Sequence, residues 1–427
     1  MKTPSRLGHS ADLELADRDR SIPALACLLD DDGLSALLGE NVRVTRVRYK
    51  PGTSVLAAFI RSGSGPDQYG WAMARATGYG EKLYDRAGNS RCAAGNIRIL
   101  QLGPRDLETA VAVGGVEDDW PLRKNLRWLW RSGLELLHAP EFPPAEAAVL
   151  RYKPERRLVV RLPSEHGPII VKTAAQPYPN RLEPAVRKLL AGQGVPLLPE
   201  LADDRCLGHG ISASPQWGDG DLDDGDGTSA YHAGAALAAL HQAGLPPSAR
   251  EQTTIQSTTR PALARELLGI QSAVAALLPE LEEVAARLRL RLQERLGARA
   301  GQLQVLVHGD FSADQVLVSG DGVRLIDFDR MALAEPEADI GSFAAAELIR
   351  SRNVNPTTHG WITDGQSLFG QLTAGYSEAG GSMSPDRVDL WTACRLFRSC
   401  LEPFRDRAAD WPASMHWHLE RALELVA

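Results

Sequence analysis

Between residues 145 and 175 the chain alternates short apolar runs with turn residues. Ala147 to Tyr152 is followed by Lys153-Pro154-Glu155-Arg156, Leu158 to Leu162 by Ser164 to Gly167, and Pro168 to Thr173 closes the series. β-Branched runs bounded by Pro and Gly predict three antiparallel strands. Leu182, Val186, Leu189 and Leu190 then repeat at helical spacing, and Glu183-Pro184 suits a helix start, because Pro fits the first turn. Residues 197 to 214 are weakly patterned and should hold the remaining strands and a hinge. Ala233, Leu237, Leu240 and His241 fall on one side of a helix over 229–243. Residues 261–299 predict two amphipathic helices broken near Pro279. Residues 340–427 read as helical, with Trp361, Trp391, Trp411 and Trp417 as core or pocket lining.

The first 140 residues carry an echo of this pattern. Val47-Arg48-Tyr49-Lys50-Pro51 returns as Leu150-Arg151-Tyr152-Lys153-Pro154. Each copy precedes an apolar run, a turn and a further strand, Trp71 to Ala76 in the first and Ile169 to Thr173 in the second. Two copies are too few for a solenoid. The reading is a strand-rich cap over 1–140 that resembles the following lobe. Residues 122–137 link the two by a helix. Arg75 falls near the Lys172 equivalent, with no nucleotide role assigned to it.

At 427 residues there is chain for two or three domains and ample core, with 44% hydrophobic and 24% charged residues. A net charge of −7 and the lack of a basic run argue against nucleic acid as a partner. No apolar stretch is long enough for a membrane span, and the charged start lacks a secretory signal pattern. Five widely spaced cysteines (Cys27, Cys92, Cys206, Cys394, Cys400) form no CxxC. They predict reduced thiols in a cytoplasmic protein. Asp219 to Gly227 suggests a calcium loop, but counting from Asp219 puts Asp224 and Ala230 where Gly and Glu are needed. It reads instead as an acidic loop that attracts a cationic substrate or as a solvated linker.

The chemistry concentrates in 308–327. His308-Gly309-Asp310 opens a polar loop, an apolar run follows, Ser319 to Gly322 reverses the chain, and a second run ends in Asp327. That is a hairpin with a carboxylate at each end. Phosphoryl transfer needs such a pair, one acid to orient the acceptor hydroxyl and one to hold a metal that neutralises phosphate charge.

The ordered run His308-Gly309-Asp310, four residues, Gln315, then Ile326-Asp327-Phe328 and Pro336-Glu337-Ala338-Asp339 resembles the aminoglycoside phosphotransferases and choline-kinase-like enzymes. The resemblance implies an α+β, two-lobed protein-kinase-like fold with an extra N-terminal cap. The antiparallel-sheet N-lobe would span 141–215 and the mainly helical C-lobe 216–427. It implies an ATP-dependent kinase of a small hydroxylated compound, with ATP and Mg2+ as cofactors. Asp310 would orient the acceptor hydroxyl; Asp327 and Gln315 would bind the metal. His308 and Asp339 would brace the loop. Lys172 would reach the phosphates, oriented by Glu183, with a snorkelling lysine and a solvated first-turn acid as the structural alternatives.

Gln315 departs from the family's Asn, which puts the second metal contact in doubt. Gln at that position and an added cap also resemble maltokinase-like sugar kinases. The turn at 153–157 lacks glycine, so Arg156 or Arg157 supplies charge there, or the turn is simply solvated. No GxxxxGKS/T occurs, which excludes a P-loop enzyme. The absence of an Ala-Pro-Glu activation segment favours a small-molecule acceptor, whether sugar, amino sugar or aminoglycoside-like. Gln315 alone favours the different-class alternative, a non-catalytic nucleotide-binding module.

Overall fold

The repeated Arg-Tyr-Lys-Pro segment folds the same way twice. In the computed structural model of the protein the described residues are 6–62, 68–85, 97–103, 109–141, 146–176, 184–244, 260–297, 304–320, 322–354, 365 and 367–427. Three helices, α1 (Arg6–Arg18), α2 (Leu25–Leu29) and α3 (Asp31–Leu38), precede β1 (Val42–Lys50), β2 (Ser54–Arg61), β3 (Tyr69–Arg75), β4 (Arg98–Gln101) and β5 (Ala110–Gly115). These strands form one antiparallel sheet in the order β1-β2-β3-β5-β4. Helix α4 (Trp120–Trp128) leads to a second antiparallel sheet of β6 (Ala148–Lys153), β7 (Arg157–Leu162), β8 (Ile169–Ala174) and β9 (Ile211–Pro215).

Both β1–β2 and β6–β7 turn at Lys-Pro. Thr53 donates its amide to the Lys50 carbonyl and Arg156 to the Lys153 carbonyl, each at 3.0 Å. The residue after Pro has positive φ in both, +60° at Gly52 and +59° at Glu155. Pro followed by a left-handed residue is the type II arrangement. Glycine adopts it freely; glutamate needs support.

That support is an aspartate, and it too is duplicated. Tyr49 donates its hydroxyl to Asp19 Oδ2 at 2.7 Å, and the Gly52 amide donates to the same oxygen at 2.8 Å. Tyr152 and the Glu155 amide donate to Asp119 Oδ2 at 2.9 and 2.7 Å. Burial pushes the Asp119 carboxyl up to about 6, against these donors. At the less buried Asp19 the donors, with Ser21, outweigh burial and hold the carboxyl below its usual value.

The register corrects one equivalence read from sequence. Aligned on the turn, Leu56 matches Val159. Leu56 pairs with Met73 and Val159 with Lys172. The cap residue equivalent to Lys172 is therefore the buried Met73, and Arg75 matches Ala174. The cap copy has no cation at that site.

One compact unit comprises Met1–Pro177, Glu200–Gln216 and Leu401–Met415. Its two sheets share a core in which Leu56, Trp71, Met73 and Ala112 pack with Leu158, Val160, Val171 and Ala213. The late segment is tied in by charge. Arg46 pairs with Glu402 at 2.7 Å and with Asp406, and Arg407 pairs with Asp12. Burial would raise Glu402, but Arg46 and Arg405 prevail and bring it down to about 2.

The other unit comprises Tyr178–Pro199, Trp217–Cys400 and His416–Ala427. It holds α5 (Pro184–Gly192), β10 (Gly220–Asp221), α6 (Gly227–Gln242), α7 (Arg260–Leu277), α8 (Glu282–Gly297), β11 (Val305–Val307), β12 (Val316–Ser319), β13 (Gly322–Leu325), β14 (Ala332–Ala334), α9 (Glu337–Val354), α10 (Leu368–Glu378) and α11 (Pro385–Ser399). The acidic segment forms β10, which pairs with β12, and then caps α6 through Asp226, whose side chain accepts from Ser229 N–H at 2.8 Å. Trp391 and Trp411 are buried core residues; Trp361 lies outside the described residues. Among the described residues Cys27, Cys206, Cys394 and Cys400 form no disulfide, and no helix is long and apolar enough to cross a membrane.

Helices α6 and α10 pack backbone to backbone. A Cβ on Gly234 would stand 1.9 Å from the Leu372 carbonyl oxygen, and one on Gly375 would stand 1.9 Å from that of Tyr231. Neither backbone can retreat without moving its helix. Gly234→Ala is expected to destabilise by about 3 kcal/mol, at the upper end of overpacking costs. Chemical denaturation measures it, and a loss below about 1 kcal/mol would contradict the close crossing.

Candidate active site

Strand β11 delivers the His-Gly-Asp loop. It pairs with β14, Leu306 against Leu333, and buries Leu306 and Val307. The chain then turns sharply at Gly309, φ +82°. A Cβ there would lie 2.1 Å from the Arg330 carbonyl oxygen, so only glycine fits. Ala313–Gln315 makes a short 3-10 turn, and β12 and β13 form the expected hairpin with Val316 opposite Leu325.

Asp339, fully buried at the start of α9, holds the loop from behind. Its Oδ2 accepts the His308 amide at 2.7 Å and its Oδ1 the Gly309 amide at 2.8 Å. His241 Nε2 stands 3.1 Å from Oδ2, and its Nδ1 stands 2.9 Å from the Tyr376 hydroxyl. A buried carboxylate with this many donors is a rigid anchor. His308 is also fully buried, with Nε2 2.7 Å from the Ile326 carbonyl oxygen. That bond, and the Ile326 amide donating to the Gln315 carbonyl at 3.0 Å, stitch the two ends of the segment together.

Asp310 projects from this anchored loop with its side chain 29% exposed. Arg395 Nη1 stands 2.5 Å from its Oδ1 and Arg330 Nε 3.7 Å from its Oδ2. Burial would raise the carboxyl, but Arg395 and then Arg330 outweigh it and hold Asp310 below the usual carboxylate value. Sequence reasoning missed Arg395. The signal was present: Arg395 and Arg398 are the only charged residues in Leu390–Leu401.

Asp327 is half-buried and has left-handed backbone, φ +62° and ψ +54°. Strained aspartates of this kind persist where the surroundings over-determine them. Gln315 and Asp327 lie at the same end of the hairpin, offering an amide carbonyl and a carboxylate. Among the described residues no cluster of three or more His, Cys, Asp or Glu could cage a metal. A hard cation held by one or two protein oxygens, with phosphates completing its shell, is the way Mg2+ is bound in phosphoryl-transfer sites. The donor set therefore fits Mg2+.

Three of the remaining candidates, Lys172, Arg156 and Arg157, belong to the first compact unit. Lys172 lies on β8 opposite Val159 and Ser212, and it is half-buried and engaged. Arg156 sits in the Lys-Pro turn, lowered from its ordinary value by burial and then by Arg48, Arg46 and Arg405. Arg157 opens β7 and is engaged. Glu183 lies outside the described residues.

The sequence profile of the phosphotransferase enzyme family matches residues 144–376. Among solved structures the chain is similar to amicoumacin kinase hAmiN in complex with AMP-PNP, Ca2+ and Ami. That match has 14% identity, covers 70% of this chain and 96% of that one, and has a TM-score of 0.50. A choline/ethanolamine kinase family protein from Mesorhizobium loti matches at 19% identity over 71% of this chain and 93% of its own, TM-score 0.46. A spectinomycin phosphotransferase in complex with ADP and spectinomycin matches at 15% over 65% and 92%, TM-score 0.48. Comparison with curated protein sequences finds no match. The fold is the protein-kinase-like α+β arrangement, with antiparallel sheets followed by a largely helical part. With more than half its length matched by that profile, the chain belongs to the phosphotransferase enzyme family.

Proposed function

We propose that the protein transfers the γ-phosphoryl group of ATP to a hydroxyl of a sugar, amino sugar or aminoglycoside-like compound, with Asp310 as its catalytic carboxylate. The observation that carries this is the anchoring of the Asp310 loop. Asp339 accepts the His308 and Gly309 amides and so fixes the loop's backbone, while the Asp310 carboxylate stays partly open and ionised. Positioning dominates phosphoryl transfer, because the transition state is loose and the attacking oxygen must lie in line. Asp310 accepts a hydrogen bond from the attacking hydroxyl and takes its proton as the new O–P bond forms. The bond from the γ-phosphorus to the β,γ-bridging oxygen breaks, ADP departs, and Asp310 returns the proton to solvent.

Lys172, Arg156 and Arg157 are the proposed phosphate cations, and Glu183 the proposed partner of Lys172. Asp327 and the Gln315 side-chain carbonyl are the proposed ligands of Mg2+, which when bound neutralises charge on the phosphates. His308 and Asp339 hold the loop.

The test is ATP consumption with a panel of sugars and aminoglycosides, read beside nucleotide binding. Lys172→Ala is expected to weaken ATP binding by roughly tenfold or more, ~1.4 kcal/mol, with the fold retained. Unchanged nucleotide affinity would remove Lys172 from the site. Nucleotide binding without turnover across a broad panel would favour a binding module over a kinase.

A further inference from the structure

Two arginines converge on the one carboxylate that has to meet the acceptor hydroxyl. Arg395 Nη1 stands 2.5 Å from Asp310 Oδ1, and Arg330 Nε 3.7 Å from Oδ2. The immediate charge of that trio is +1. Arg398, one turn beyond Arg395 on α11, is spoken for by Glu266 at 2.8 Å. Glu266 is therefore not spare to receive an ammonium group. The charges acting most strongly on Asp310 are Arg395 and Arg330. The acidic segment, meanwhile, is occupied locally. Asp221 accepts the Asp223 amide, Asp226 caps α6, and Asp219 Oδ2 accepts from the Ser319 hydroxyl at 3.3 Å.

A polycationic acceptor would bring ammonium groups against Arg395 and Arg330. It would have to compete with both for Asp310. An acceptor bearing a carboxylate or phosphate meets the opposite situation. Guanidinium binds either anion through paired N–H bonds. Once Arg395 turns to such a group, Asp310 Oδ1 is released to accept the hydroxyl. Recognition of the anion and exposure of the catalytic oxygen then become one event.

Resting on the phosphotransferase reading above and narrowing its acceptor, we propose that the substrate carries an anionic group near the hydroxyl it presents, and that Arg395, assisted by Arg330, binds that anion and selects the substrate. Arg395 is then a specificity-determining residue of the site.

The test uses the full chain saturated with ADP and Mg2+ and four probes of one size: D-gluconate, D-glucose 6-phosphate, D-glucose and D-glucosamine. Titration calorimetry gives each dissociation constant, and a coupled assay with ATP gives kcat/KM. At least one anionic probe is expected to bind tenfold or more tighter than glucose, with glucosamine the weakest. Preference for gluconate identifies a carboxylate and preference for the 6-phosphate a phosphate. Arg395→Gln is expected to erase that preference, and Arg395→Lys to keep part of it, in variants whose circular dichroism matches the wild type.

Equal binding across the four, preference for glucosamine, no binding by any, or an undiminished preference in Arg395→Gln would each overturn the proposal. Transfer to glucose or glucosamine without an anion preference would refute it and leave the kinase reading intact. An Arg395-dependent anion preference with no transfer to any acceptor would support the anion site and count against the kinase reading instead.

Discussion

Asp310→Asn is expected to reduce kcat for phosphoryl transfer by about 10^2–10^4-fold, the usual worth of a positioned acid–base group. Nucleotide affinity and the folded state should change little. Asn keeps the shape and still offers Arg395 a carbonyl oxygen, so the loop, held from behind through the His308 and Gly309 amides, has no cause to move. What is lost is the ability to take a proton. The pH profile sharpens this. Burial raises Asp310, and Arg395 with Arg330 more than compensates, so the carboxyl titrates below its ordinary value. It is ionised across neutral pH, and kcat/KM should show no acid limb from Asp310 above about pH 5. Arg395→Gln removes the stronger of the two compensating charges and leaves burial acting, so the acid limb should move upward. Full turnover in Asp310→Asn would end the assignment, whatever its pH dependence.

The residues that sequence could place are those whose partners lie close along the chain. The three strands of 145–175 appear as β6, β7 and β8, because their alternation and their Pro and Gly boundaries are local signals. The break at Pro279 separates α7 from α8 as its chemistry requires. The Lys-Pro echo was visible as letters, but the device behind it was not. Asp19 lies 30 residues before Tyr49, and Asp119 lies 33 before Tyr152, in segments without similarity around them. A short acidic side chain that satisfies a tyrosine and a strained amide leaves no pattern of its own.

Contacts across longer stretches of chain were further out of reach. Arg46 reaches Glu402 across 356 residues, and Asp310 meets Arg395 across α9 and α10. Local charge was not legible either. The acidic loop read as attracting a cationic substrate or as a solvated linker; two of its acids, Asp221 and Asp226, serve as caps, and the Asp310 carboxylate is flanked by Arg395 and Arg330. The field that a substrate meets is set by the few charges within several ångströms, where screening is weakest.

Replacing Asp339 should damage stability most. Asp339→Ala is expected to lose roughly 3–5 kcal/mol, the cost of removing one partner from a buried charged network. The His308 and Gly309 amides and His241 Nε2 all face this one carboxylate, which has no solvent exposure. Alanine leaves all three without an acceptor, and each buried donor left unpaired costs about 1–3 kcal/mol. The loss continues outward. His241 Nε2 faces Asp339 and its Nδ1 faces the Tyr376 hydroxyl, so α6, α9 and α10 are joined through one imidazole. Asn at 339 is a poor rescue, since its NH2 would face a donor that the second carboxylate oxygen now satisfies. Asp339→Asn should therefore fall closer to alanine than to wild type in a denaturation midpoint. Molecules that still fold should show kcat reduced along with stability, because the amide of His308 and that of Gly309 set where Asp310 begins. A variant within about 1 kcal/mol of wild type, with unchanged kcat, would mean that the loop is held by something other than this carboxylate.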